Sequence, residues 1–474
     1  VNNNLYGGYM ENIGSDKQKV ESYRYVKRNY FELASKQEEK EIFDFAENYK
    51  EFMTKCKTER EVNDYVSSEA MKYHFSEYSF GDLLKVGDKK FISNRGKGIV
   101  LFKIGENDIE KEGLRIIVSH LDSPRLDLKQ VPIYESDGLC FFKTHYYGGI
   151  KKYQWTAMPL SIHGVVFTKD NKKININIGD NVNDPVFYIN DLLPHLGKSQ
   201  MELKANDFIN GEQLNIVVGG KALKDEQLKD KIKENVLQIL YNEYHITEED
   251  FISAELSIVP ALPPRDIGFD RSLLGAYGHD DKVCAYASLK AIVDSRNKNT
   301  VLCILVDKEE IGSEGVTGIK SKIYEDIIDE ICISLKKNVR KVRQKSMCIS
   351  ADVTAGYDSN FADVFEKNNA AILSCGVCMN KYTGGGGKSD SNDASAELVQ
   401  RIRDIFSKHN IIWQTSELGK VDIGGGGTVA KFIAQLNIDT VDIGVPVISM
   451  HAPYELISKA DLYSAYKGYK AFFE

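Results

Sequence analysis

Short apolar runs punctuate the chain, and each ends on a polar cluster. Leu114-Arg-Ile-Ile-Val118, Val301-Leu-Cys-Ile-Leu-Val306, Ser346-Met-Cys-Ile-Ser350, Ala370-Ala-Ile-Leu-Ser-Cys-Gly-Val377 and Val441-Asp-Ile-Gly-Val-Pro-Val447 have the length and apolar density of buried strands. Between them lie charged stretches with helical spacing, such as Ser391–Phe406, and a similar texture fills much of the first 70 residues (EEKEIFDFAENYKEFMTK). Strands alternating with helices predict an α/β fold, with a central mixed sheet flanked by helices. From about Arg125 to Pro264 the pattern changes to strand-like CFFKTHYYGG, LSIHGVVFT and KKININIG, with one charged helical interlude over 221–244. Pro260, Pro263 and Pro264 mark the exit from this region. The predicted organisation is a discontinuous catalytic domain, 1–125 plus 265–474, carrying an inserted, mostly-β second domain at 126–264.

With 474 residues the chain can bury a sizeable core. A net charge of −8 gives no basic field to favour nucleic acid or an anionic membrane, and the run Lys336–Arg343 lacks interleaved aromatics and reads as solvated. No run of about 18 apolar residues predicts a membrane span, and the polar start VNNNLYGGYMENIGSDK has no signal-peptide core, so the cytoplasm is the expected compartment. Met10 is an alternative start. Eight cysteines, most within apolar runs, read as buried thiols; Cys375 and Cys378 have metal spacing, yet no second pair completes a zinc site.

The chemistry sits where apolar runs or tight turns end: His120-Leu-Asp122, Gly278-His-Asp280-Asp281-Lys282, Asp307-Lys-Glu309-Glu310, Ser350-Ala-Asp352 and Met450-His451. Singly, each is an ordinary turn or cap. Together they are not, because acids gathered at one sheet edge repel one another unless cations lie between them. Two imidazoles and three carboxylates suit two divalent ions sharing a bridging carboxylate, and zinc, cobalt and manganese all take such ligands. In the pair Glu309-Glu310, one glutamate can bind metal while the other serves as general base.

SHLDSP, GHDDK, DKEEIGSEG, SADVTAGY and DIGVPVISMHAPYE, in this order, resemble the M18 metallo-aminopeptidases, the aspartyl aminopeptidase and aminopeptidase I group, from about His120 to the C-terminus. The resemblance implies that His120 binds one metal and that Asp122 is no ligand but orients that imidazole. It makes Asp280 the bridging carboxylate, with Asp281 next in register. It makes Glu309 the general base, Glu310 and His451 ligands of the second ion, and Asp352 a ligand of the first. It also implies a homo-oligomer built on a dimer, up to a dodecamer, in which His195 reaches a neighbouring active site to polarise the substrate carbonyl. Gly426, Gly427 and Thr428 fall in the segment that closes round substrate. Where aspartyl-specific members carry a basic residue, this chain has KYTGGGGKSDSND, and Lys388 is the nearest candidate; an acidic or a neutral N-terminal residue both stay open.

The expected reaction is removal of the N-terminal residue of short peptides by metal-activated water, with zinc first among the metals. Rival readings keep the two metals but change the substrate (an N-acyl amidohydrolase, a carboxypeptidase or a deblocking peptidase) or drop catalysis for an assembly or binding role. Gly387-Lys388-Ser389 ends like a phosphate loop, but Tyr382 stands where that motif needs glycine.

Overall fold

The computed structural model describes residues 23–474; Met10, read as an alternative start, and the polar stretch 1–17 lie outside them. A nine-stranded sheet runs in the order Ser76–Glu77, Lys89–Asn94, Gly98–Lys103, Val301–Val306, Arg115–His120, Met347–Ser350, Asp439–Gly444, Val377–Asn380, Trp413–Thr415. The strands at its middle, Val301–Val306 through Asp439–Gly444, are mutually parallel, with antiparallel neighbours on both sides. It is the mixed, helix-flanked sheet expected.

Period-two alternation divides these strands between two cores. Ile117, Cys303 and Leu305 face the core formed with helices His279–Asp294 and Lys459–Phe473. Ile116, Val118, Leu302 and Ile304 face the opposite core, with helix Ile323–Ser334. Both faces are apolar, which is why these strands are continuous apolar runs in the sequence.

A six-stranded antiparallel sheet follows the order Lys173–Ile178, Leu160–Phe167, Ala254–Pro260, Arg125–Ser136, Leu139–Tyr147, Ile216–Gly219. It has its own core, around Trp155, Phe142, Ile258 and Ile216, covered by helix Lys231–Tyr244. This helix is shorter than expected: residues 221–230 are not helical. In Ala370–Val377, likewise, the strand begins only at Val377, because Gly376 turns the chain at φ 90°. The strand before Asp122 runs two residues past the apolar run that ends at Val118 and includes His120.

All eight cysteines are free and buried. The basic run is more than solvated: Lys337 pairs with Asp108, and Arg343 with Glu325 and Asp329. Among the described residues, no helix is long and apolar enough to cross a membrane.

Candidate metal centre

Parallel strands place their carboxyl ends on one rim, where ligands gather. His120 closes the central strand, level with Val306 on one neighbour, and Asp352 follows two residues after the other neighbour ends at Ser350. Beyond Val306 the chain turns through Lys308, at φ 68°, into the short 3-10 turn Glu309–Ile311. Asp280 and Asp281 stand at the amino end of helix His279–Asp294 with non-helical torsions. Gly278 precedes them at φ 75°; a Cβ there would lie 2.6 Å from Lys282 Nζ and 2.8 Å from Ser123 Oγ, so only glycine fits. His451 comes from the turn after the last parallel strand, at φ 64°.

Asp280 lies between two imidazoles. His120 Nε2 lies 3.0 Å from its Oδ1, and His451 Nε2 lies 3.1 Å from its Oδ2. Glu310 Oε1 is 3.4 Å from His451 Nε2, and Asp352 Oδ1 is 3.8 Å from His120 Nε2. Ligand atoms of His120, Asp281 and Asp352 lie within 4.8 Å of one another, as do those of His120, Asp280 and Glu310.

Each imidazole is held from behind by a backbone carbonyl. His120 Nδ1 donates to the carbonyl of Asp122 at 3.0 Å, and His451 Nδ1 to that of Gly149 at 2.9 Å. Such bonds point Nε2 at the carboxylates and fix the tautomer that can ligate. The Asp122 carboxylate is further from His120, at 3.4 Å; it accepts the Glu309 and Glu310 N–H groups at 3.1 Å each. Asp122 therefore orients the imidazole chiefly through its carbonyl, and its carboxylate organises the turn bearing the two glutamates.

Burial presses on these acids. It raises Asp281, Asp352 and Glu310 well above the usual carboxylate range, and neighbouring carboxylates push the same way. Glu309 is raised to about 7 by burial first, then by Asp122 and Asp280, against the pull of His120 and His451. Asp280 moves down, because hydrogen bonds from both histidines outweigh its burial. Asp281 Oδ1 and Glu310 Oε1 are buried without hydrogen-bond partners. Carboxylates that crowd one another, with orphaned oxygens and two imidazoles, fit divalent cations.

Other predicted residues lie apart from this cluster. His195 is exposed in a turn beyond the second sheet. Lys388 Nζ is engaged by Asp393 at 3.1 Å and lies 3.8 Å over the Tyr382 ring. A strand, Val377–Asn380, does precede the Gly384–Gly387 stretch, but the next helix starts only at Ala396, so no phosphate loop forms. Gly426 N–H donates to Thr383 O at 3.1 Å, and Thr428 Oγ1 donates to Asp442 at 2.7 Å.

Sequence reasoning missed Glu455, whose buried carboxylate accepts the Asp280 N–H at 3.0 Å and the His451 N–H at 2.7 Å. Its signal was an acid four residues past His451, where the turn gives way to the strand Glu455–Ser458. It also missed Tyr147, whose hydroxyl donates to Asp122 Oδ2 at 2.8 Å.

The chain matches the family model described as Aminopeptidase I zinc metalloprotease (M18) over residues 52–473. It is 50% identical over 457 residues to a probable M18 family aminopeptidase 1 of Borrelia garinii, covering 94% of this chain and 99% of that protein. The crystal structure of an M18-family aminopeptidase from Thermotoga maritima superposes with a TM-score of 0.91 at 42% identity, over 95% of this chain and all of that one. At 21% identity the S. cerevisiae mApe1 dodecamer shares the fold, with a TM-score of 0.74 over 91% of this chain and 96% of that one.

These matches make the chain a metallopeptidase, a hydrolase of peptide bonds, and the acids and imidazoles gathered on the carboxyl rim fit that class. The chain belongs to the M18 family of aminopeptidases.

Proposed function

We propose that this M18 aminopeptidase works with two divalent ions and with Glu309 as general base, releasing the N-terminal residue of short peptides. The observation that carries the reading is the Asp280 carboxylate, with one oxygen toward His120 and the other toward His451. In this assignment His120, Asp280 and Asp352 hold the first ion, and Asp280, Glu310 and His451 the second. Asp281 accepts the His120 N–H at 3.2 Å and supports the first set. Zinc is the expected metal. When bound, the ions activate water and polarise the scissile carbonyl.

The chain's own residues do the rest. Glu309 has its N–H tied to Asp122 and its carboxyl left unligated, so it can take a proton and pass it to the leaving amine. The acids of the rim offer acceptors to a free α-ammonium group, which suits cleavage at the amino end. Beside His451 a cleft of about 680 Å³ is lined by Ile150, Tyr153, Phe361, Phe365 and Met450. The charged residues of its lining, Lys151 and Asp358, are one of each sign, so its mostly apolar walls favour a neutral N-terminal residue over an acidic one, and Lys388 already has an acidic partner. The tie from Thr428 to Asp442 anchors one end of the glycine segment that includes Gly426 and Gly427, leaving its backbone to approach peptide.

The second sheet, read as an inserted unit over 126–264, is proposed to mediate a homo-oligomer based on a dimer. His195, flanked by the exposed Leu192, Leu193 and Leu196, would reach the neighbouring site. Eight free thiols fit a reducing compartment, in keeping with the cytoplasm.

A panel of acidic, neutral and basic aminoacyl substrates with N-acetylated controls, assayed after chelation and after adding back zinc, cobalt or manganese, tests the reading. Turnover of free-amino, neutral substrates dependent on metal is expected. Hydrolysis of the blocked substrates alone would transfer the function to the N-acyl amidohydrolases or deblocking peptidases.

A further inference from the structure

We propose that Tyr147-Gly148-Gly149, the end of a strand in the second sheet, is a positioning element of the metal centre on the first. The inference rests on the two-ion reading above. Three consecutive residues each touch a different part of the centre. Tyr147 Oη donates to Asp122 Oδ2 at 2.8 Å, the same carboxylate that accepts the Glu309 and Glu310 N–H groups. Gly148, at φ 75°, lies against Glu310: a Cβ there would be 3.3 Å from both Cβ and Oε2 of that glutamate. Gly149 supplies the carbonyl that receives His451 Nδ1 at 2.9 Å.

The segment is itself held rigidly. Tyr147 pairs with Arg125 across the strands Arg125–Ser136 and Leu139–Tyr147, and the Arg125 guanidinium lies 4.0 Å over its ring. Arg125 in turn donates to Glu59 at 3.0 Å and to Asp127 at 2.8 Å. Glu59 opens the helix Glu59–Lys72, so the N-terminal helices join the same chain of contacts. Asp122 is buried and accepts hydrogen bonds through both oxygens; removing one donor loosens the carboxylate, and with it the turn that carries the base. A glycine at 148 lets Glu310 come close, and a bare carbonyl at 149 sets the tautomer and direction of His451. The second sheet thus shapes the centre within its own chain, apart from any part it has in assembly.

Tyr147→Phe keeps the ring under Arg125 and removes only the hydroxyl. The expected result is a kcat lower by ~10-fold with KM within about twofold. In the metal-free protein the Glu309 and Glu310 amides should exchange hydrogen faster while the rest of the sheet is unchanged. Wild-type kcat and wild-type exchange at these amides would overturn the proposal, as would a loss confined to thermal stability. Gly148→Ala should weaken the binding of one of two zinc ions by ~10-fold or more in titration against a competing chelator; two unaltered affinities would count against it. Exchange and zinc titration need no peptide turnover. A wild-type chain inactive on free-amino peptides would therefore sink the proposed function, while these measurements still decide the role of the segment.

Discussion

Two clusters of buried charge behave in opposite ways. Where the second sheet meets the N-terminal helices, His163 Nδ1 donates to Glu61 at 2.7 Å, its Nε2 lies 3.4 Å from Asp180, and Lys57 Nζ is 2.9 Å from Asp180. Cations and anions are matched there. Although burial opposes every charge, the hydrogen bonds win: Glu61 moves down, Asp180 falls to about 2 and His163 rises to about 9. At the metal centre the acids outnumber the imidazoles; burial wins for Asp281, Asp352 and Glu310, which move up, while Asp280, bonded to both histidines, moves down. Buried acids alone do not mark a functional site; what sets the rim apart from the joint is the excess of acids over the cations that face them.

Replacing the base should produce the largest effect. Glu309→Gln is expected to keep both metals by elemental analysis and to lower kcat by ~10²- to 10⁴-fold; near-normal turnover would remove Glu309 from its role. As the proposed base, Glu309 must be deprotonated to act. Activity should therefore fall with pH below about 7, with the midpoint moved lower by the bound cations.

Metal removal tests the imbalance directly. Because Glu309 is raised from 4.5 to about 7 in the folded chain, the cation-free protein loses stability as pH rises through that window. Zinc at a fixed concentration 100-fold above its Kd at pH 7 should restore about 3 kcal/mol per ion there and less at lower pH, where the acids are protonated, so the gain in Tm grows with pH across the same range. His451→Ala should forfeit one ion's share. A zinc-induced shift that ignored pH would contradict the crowding argument.

The joint should respond least and with the opposite character. His163→Gln is expected to cost about 1–3 kcal/mol in denaturant unfolding and to leave zinc affinity unchanged. The stability this histidine contributes is complete below pH 6.5 and lost as pH rises through about 9, while that of Asp180 is complete above 3.8 and lost as pH falls through about 2. The joint is thus strongest between about pH 4 and 6.5. A His163→Gln variant whose stability still followed the wild-type alkaline decline would assign that decline elsewhere.

The strand ends were legible because two-sided burial writes continuous apolar runs, and the polar residues that follow stand out against them. That is how His120, Glu309, Glu310 and Asp352 could be named and then found on one rim. Ala370–Leu373 misled for the same reason, since an apolar run does not reveal the turn at Gly376 that delays the strand. The supports of the site were the least readable. The carbonyls of Asp122 and Gly149 carry no side-chain signature, and Tyr147 is one aromatic among several in a strand whose register the sequence does not fix. The carboxylate of Asp122 shows the same limit: proximity in sequence linked it to His120, whereas folding brought it the amides of Glu309 and Glu310.

His120 and Asp280 face each other at 3.0 Å although 160 positions separate them along the chain. Between them the polypeptide leaves the central strand at Pro124, completes the whole second sheet and returns to the helix His279–Asp294. Closing a loop of that length is slow but adds little to its entropic cost when more residues are inserted. A growing polypeptide cannot bring these groups together until that detour has closed and His451 has followed, so the rim depends on contacts that are distant in sequence. The same closure makes the outlying part of the detour a place where length can change freely, provided that its return still delivers Tyr147, Gly148 and Gly149 to the rim.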